Sequence, residues 1–261
     1  MDIINFDDRK FDVIDADSYR NASIYLPQAC RRGYRMLING FSGSGKTNLL
    51  MNLLVSNKGL QYDRIFIVSP SINYQNKYLH LRDVMERYDQ AKLDLAEKTL
   101  RKPENADLKL DDLDLNIPTA QFFESTEEMK DSGFDIDNLP EGKVYIAIFD
   151  DVLLDKNQTE YISLFSRGRQ RGINCIYLSQ RYYNVPKMIR ANLSHCILYR
   201  GMGNSELLSV MRDLCPELDK KEARKIYNEA TKDKFGFLLL DKSEFHHGLQ
   251  YRRGFTDVWI R

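Results

Sequence analysis

From Tyr34 onward the chain alternates short apolar runs with polar stretches of helical periodicity. Tyr34 to Asn39, Arg64 to Ser69, Val144 to Asp150, Ile173 to Gln180 and His195 to Arg200 are short and almost continuously apolar. That is the pattern of strands covered on both faces, as in a parallel sheet. Ala120 to Phe123 is a weaker candidate strand. Between the runs, Lys46 to Ser56 places Leu49, Leu50, Leu53 and Leu54 on one helical face, with Gly59 beyond as a stop signal. Ser125 followed by Glu128 has capping-box spacing, and Pro186 suits a first helical turn.

The stretch from Tyr78 to Arg101 reads as a helix, followed by a polar excursion through KPENADLKLDD. Beyond Arg200, Ser205 to Leu214 and Asp219 to Lys232 have helical patterns. The run FGFLLL and the closing LQYRRGFTDVW then read as a β-hairpin or edge strands completing the sheet. The expected fold is α/β, with a mostly parallel central sheet and helices on both faces. With no internal repeat and no low-complexity linker, residues 1–261 read as one domain. It comprises an N-terminal extension (1–33), a core (34–200) and C-terminal helices and edge strands (201–261).

Composition narrows the function classes only modestly. Hydrophobic residues at 43% and charged residues at 29% are ordinary for a globular chain, and no run approaches the ~18 apolar residues of a membrane span. Integral membrane insertion is therefore not expected. Lys plus Arg and Asp plus Glu are 38 each, so no global field attracts nucleic acid, although a cleft or ring can concentrate charge locally. The opening MDIINFDDRKFD lacks the basic region and apolar stretch of a secretory signal. Cys30, Cys175, Cys196 and Cys215 form no CxxC pair, which suggests reduced, buried thiols and argues against zinc.

The strongest chemical signal is GFSGSGKT, Gly40 to Thr47, which fits G-x-x-x-x-G-K-[ST] without mismatch between an apolar strand and an amphipathic helix. Gly40, Gly43 and Gly45 allow a loop whose backbone N–H groups turn inward around phosphates, with Ser42, Ser44 and Asn48 as neighbouring contacts. Lys46 would reach the β and γ phosphates of ATP and Thr47 would offer its hydroxyl to Mg²⁺. The chain thus reads as a P-loop NTPase.

VYIAIFDD delivers Asp150 and Asp151 at the C-terminal end of a strand, the edge where ligands bind in parallel α/β sheets. Asp150 is placed for Mg²⁺ and Asp151 to orient and deprotonate the attacking water. Gln180 ends the following strand. It is a sensor candidate if that strand lies between the other two, the additional-strand, RecA-like arrangement, and otherwise an ordinary turn residue. Arg167, Arg169 and Arg171 in SRGRQRG are candidate arginine fingers for a neighbouring subunit's site, with Arg181 and Arg200 in reserve. Basic residues also complement any helix C-terminus.

LINGFSGSGKTNLL, FIVSPSINYQNKY, IAIFDDV, RGRQRGIN and CIYLSQRYYNVPKMIRANLSHCILYR occur in this order. Across roughly Tyr34 to Arg200 the series resembles the genome-packaging ATPases of nucleocytoplasmic large DNA viruses, virophages and Polinton-like elements, within the FtsK/HerA superfamily. The resemblance implies a homo-oligomeric ring of five or six subunits that hydrolyses ATP and drives double-stranded DNA into a preformed capsid, in host cytoplasm or virion. It implies contacts with capsid or other packaging proteins. It equates Lys46 and Thr47 with the family's nucleotide-binding pair, Asp150 and Asp151 with its acidic pair, and Gln180 with its sensor. Many relatives have Asp-Glu where this chain has Asp-Asp.

Candidate DNA contacts are Lys187, Arg190, Arg252 and Arg253, although such charges are more often a solvated face. Tyr182 and Tyr183 either stack on adenine or pack on the sheet. His246 and His247 lack companions at metal-ligand spacing. A P-loop kinase acting on a small molecule and an ATP-dependent assembly switch are the competing functions.

Overall fold

The computed structural model describes residues 2–5, 33–55, 59–101, 118–154, 158–242, 250–255 and 257–260. The polar excursion at 102–112, Cys30, His246 and His247 lie outside the described residues, as does most of the N-terminal extension. In chain order the strands are β1 (Asp2–Asn5), β2 (Arg35–Asn39), β3 (Arg64–Val68), β4 (Thr119–Phe123), β5 (Tyr145–Asp150), β6 (Ile173–Ser179), β7 (His195–Tyr199), β8 (Phe237–Asp241), β9 (Gln250–Arg253) and β10 (Asp257–Ile260). The helices are α1 (Lys46–Val55), α2 (Asn76–Leu100), α3 (Thr126–Asp131), α4 (Gln158–Arg167), α5 (Lys187–Ala191), α6 (Asn204–Leu214) and α7 (Lys220–Ala230).

Among the described residues the ten strands join one sheet in the order β1-β10-β9-β8-β7-β2-β6-β5-β3-β4. From β7 to β4 every pairing is parallel, and from β7 out to β1 every pairing is antiparallel. The continuously apolar strands are thus covered on both sides. Leu37, Phe149 and Tyr177 point into a layer shared with Tyr161 and Phe165 of α4, Val210 of α6 and Ile226 of α7. Their neighbours Ile38, Ile148 and Ile176 point into the opposite layer, against Leu50, Leu53 and Leu54 of α1 and Tyr78 and Leu81 of α2.

Sequence punctuation acts locally with small shifts. Ser125 caps α3 by accepting from the Glu128 N–H at 3.2 Å, but Glu128 accepts from Glu124 N rather than Ser125 N, so the box closes one residue early. Asp219 caps α7 by accepting from Lys221 N and Glu222 N. Pro186 stands at the cap of α5, just outside the helix. The FGFLLL run supplies most of β8, and the closing segment supplies β9 and most of β10, which pair antiparallel. β1, at one edge of the sheet, comes from the N-terminal extension and pairs with β10, although DIIN carries no signal that would have singled it out.

Arg35 begins β2 fully buried. Its guanidinium donates to Phe165 O (2.5 Å), Ile173 O (2.7 Å) and Tyr34 O (2.9 Å), with weaker contacts to Gly33 O and Leu164 O. One cation therefore satisfies carbonyls at the end of α4 and the start of β6, where the backbone would otherwise be buried without donors. Replacing it by methionine keeps the volume and strips those acceptors. We expect Arg35→Met to lower unfolding free energy by on the order of 3 kcal/mol in urea melts, since each stranded acceptor costs about 1–3 kcal/mol.

Candidate active site

Register decides what meets at the C-terminal edge of the parallel strands. Asn39 of β2 lies opposite Ser179 of β6, and Asp150 of β5 lies opposite Leu178. Gly40 N donates to Ser179 O at 3.1 Å, tying the start of the glycine loop to the end of β6. β6 runs between β2 and β5, the strand order that the Gln180 reading requires.

The loop turns tightly before α1. Gly45 has φ +108°, a left-handed conformation closed to residues with a β-carbon except at a cost. Ser44 N donates to Phe41 O, and Lys46 Nζ lies across the loop donating to Gly40 O (2.7 Å) and Phe41 O (3.1 Å). Ser44 Oγ is buried and has no hydrogen-bond partner.

A cavity of about 670 Å³ opens over this loop. Ser42, Gly43, Gly45, Lys46, Thr47 and Asn48 line it, while Gly40 and Ser44 sit behind the lining. Its far wall is Asp150, Asp151 and Gln180. Asp150 is 7% exposed and accepts a 2.5 Å hydrogen bond from the Tyr78 hydroxyl. Burial raises its pKa, while the Tyr78 bond and the Lys46 ammonium pull it back down and Asp151 adds to the rise. Burial likewise lowers the Lys46 pKa, opposed by the charges of Asp150 and Asp151. These residues, distant in sequence, therefore share one electrostatic environment.

Asp151 leaves the strand at φ 56°, the single non-glycine residue with positive φ among those described. It is exposed, and Gln180 Nε2 reaches its Oδ2 at 3.5 Å. The turn beyond Gln180 is held by Ser179 Oγ, which donates to Arg181 O at 2.8 Å.

The arginine cluster lies elsewhere. Arg167, Arg169 and Arg171 precede β6 and so occupy the N-terminal edge of the sheet, away from the chain's own cavity. Arg167 donates to Ser163 Oγ, Arg171 pairs with Asp137 at 3.1 Å, and Arg169 packs against Gly33. Arg181 and Arg200 follow β6 and β7 at the cavity's own edge, both exposed.

The proposed DNA contacts fare unevenly. Arg252 is buried against Asp241 at 2.8 Å and cannot reach an external phosphate. Arg253 pairs with Asp233, and Arg190 pairs with Asp213 while its guanidinium lies about 5 Å from the rings of Tyr182 and Tyr183. Lys187 is exposed. Tyr182 packs into the core, as the packing alternative requires, and Tyr183 remains partly exposed beside it. Cys175, Cys196 and Cys215 are free and buried, and burial pushes the Cys175 thiol up to about 11.

Sequence reasoning missed Tyr78 and Lys77, both on the first turn of α2. The motif FIVSPSINYQNKY ends on Tyr78, so the signal was present. What was not visible is that α2 leans on the end of β5. Lys77 lines the cavity and acts electrostatically on both Lys46 and Asp150. Also unforeseen were Tyr199, Phe235 and Phe237, which line the opposite flank of the loop.

The strand order, the glycine loop at the end of β2 and the acidic end of β5 define a P-loop ATPase fold of the additional-strand type. No protein-family model matches the chain and no curated protein matches its sequence. Among solved structures, it is similar to the genome packaging NTPase B204 from Sulfolobus turreted icosahedral virus 2. In complex with AMPPCP that protein gives a TM-score of 0.50 at 13% identity, over 84% of this chain and 97% of that one. In complex with sulfate it gives 0.50 at 13% identity, over 84% and 96%. At such identity the likeness is one of fold.

The Tyr78–Asp150 contact yields a direct expectation. Tyr78→Phe strands a buried carboxylate oxygen and should cost about 1–3 kcal/mol in urea unfolding. The same change made in an Asp150→Asn background should cost less, because a neutral amide is cheaper to bury, and a double-mutant cycle reads the difference.

Proposed function

We propose that the chain is a genome-packaging ATPase of the FtsK/HerA kind, which binds Mg-ATP over the Gly40–Thr47 loop and hydrolyses it to move double-stranded DNA. The observation that carries this reading is the convergence of Lys46, Asp150, Asp151 and Gln180 on one cavity at one sheet edge. The fold shared with a packaging NTPase supports it.

The donor set suits Mg²⁺ bound together with a nucleotide. Among the described residues no group of three or more His, Cys, Asp or Glu could hold a metal by itself. Two carboxylates, a threonine hydroxyl and phosphate oxygens fit a hard cation that keeps several waters. The glycine loop, whose Ser42, Gly43, Gly45 and Lys46 line the cavity, suits an anion. Thr47 and Asp150 would hold the cation, which when bound neutralises charge on the β and γ phosphates.

In this chemistry Lys46 leaves the loop carbonyls for the phosphate oxygens. Asp151 orients a water toward the γ phosphorus and takes its proton as the new P–O bond forms. The bond to the β–γ bridging oxygen breaks, releasing ADP and phosphate. Gln180, already at Asp151, holds that carboxylate and senses the γ phosphate. Tyr78 keeps Asp150 facing the cavity.

Arg167, Arg169 and Arg171 face away from their own cavity, so any finger role for them is exercised in trans, in a ring of five or six copies. Within that reading the ring engages capsid or other packaging proteins, in the host cytoplasm or in the virion. The described residues include no helix long and apolar enough to cross a membrane. A small-molecule kinase is less well supported, because β6 lies between β2 and β5.

Lys46→Ala is expected to abolish ATP hydrolysis. Asp151→Asn should lower turnover by about 10²–10⁴-fold while Mg-ATP binding persists. Double-stranded DNA should raise wild-type turnover several-fold, with the stimulation fading as salt increases. A phosphate-release assay that gives the same rate with and without DNA at low salt overturns the motor.

A further inference from the structure

Resting on the nucleotide reading above, we infer that Phe235 is the stacking platform for the nucleotide base. The cavity extends to both flanks of the glycine loop. On the β6 and β5 side it ends at Gln180 and the two carboxylates, and on the β7 and β8 side it ends at Tyr199, Phe235 and Phe237. A triphosphate whose terminal phosphoryl group lies at the acidic flank leaves its base on the aromatic one.

Phe235 is built for contact with something outside the core. It is 57% exposed, whereas Phe237, two residues on, is buried and packs on Tyr199 and Phe255. A β-carbon placed on Gly45 would lie 3.3 Å from the Phe235 ring, so the side chain rests directly beside the phosphate loop. Lys234 Nζ lies 5.3 Å from the centre of the same ring. A further space of about 420 Å³ continues past the ring, bounded by Asp233, Gly236, Arg253 and Gly254.

The turn that presents Phe235 is braced from several sides. Gly236 N donates to Asp233 O at 3.0 Å, and a β-carbon at Gly236 would meet Ala230 O at 2.8 Å, so the position admits only glycine without a backbone shift. Arg253 clamps Asp233 at 2.7 Å, and Gly254 N donates to Phe237 O. A large apolar ring held on a fixed turn, exposed to a nucleotide-sized cavity, gains on binding a flat π surface. Every base offers such a surface, so the ligand class is nucleoside triphosphates, recognised by ring area. The alternative in which Tyr182 or Tyr183 stacks on adenine finds no support, because neither lines this cavity.

The test measures Mg²⁺-dependent binding of ATP and of inorganic tripolyphosphate to the full chain by calorimetry. Wild type should bind ATP more tightly than tripolyphosphate. Phe235→Ala should weaken ATP about tenfold and leave tripolyphosphate within about twofold, and Phe235→Trp should restore ATP. Unchanged ATP affinity in Phe235→Ala overturns the platform, and so does equal loss of both anions, which would make Phe235 a support for the loop. If wild type binds neither anion, the nucleotide reading falls and takes the platform with it.

Discussion

The parallel pairing of β6 between β2 and β5 is the constraint on which the rest depends. It sets the glycine loop and the acidic strand end two strand spacings apart, roughly 9–10 Å, with the tip of β6 between them. A register slip of one residue would turn Asp150 to the other face of the sheet and bury Gln180 among apolar neighbours. The alternation of Ile38, Ile148 and Ile176 against Leu37, Phe149 and Tyr177 resists such a slip, because both faces of these strands are dry. Core packing and site geometry are therefore one requirement, expressed along the same three strands.

That frame allows an arrangement that is costly by itself. Asp150 sits in a low-dielectric wall, where the charged form is disfavoured, and Tyr78 and Lys46 offset part of the penalty. Lys46 is disfavoured by the same burial and favoured by the same carboxylates. Opposing charges held short of direct pairing leave both signs facing one cavity, as the proposed nucleotide reading requires.

Much of this was legible in the residues. The five apolar runs became β2, β3, β5, β6 and β7, and the weaker run at Ala120 became β4, because double-sided burial leaves a continuous hydrophobic signature. The glycine loop was readable since its spacing is itself the mechanism. What sequence did not reveal depends on contacts between remote elements. Arg35 looks like a surface charge at a strand start, yet it is buried because α4 ends above it. Tyr78 and Phe235 belong to the site only through where α2 and the turn before β8 dock. Arg252 and Arg253, adjacent in a basic dipeptide, point to opposite sides of β9 and meet different carboxylates, one buried and one exposed. The pleat separates them, and charge counting along the chain does not see it.

The left-handed backbone at Asp151 suits its short side chain. Short polar residues tolerate that conformation better than longer ones, because their oxygens can hydrogen-bond to the nearby backbone. Glutamate gives up that local compensation and carries an extra methylene. In this chain the sharp exit from β5 and the shorter acid go together, so lengthening the acid here would be opposed by main-chain torsion as well as by reach.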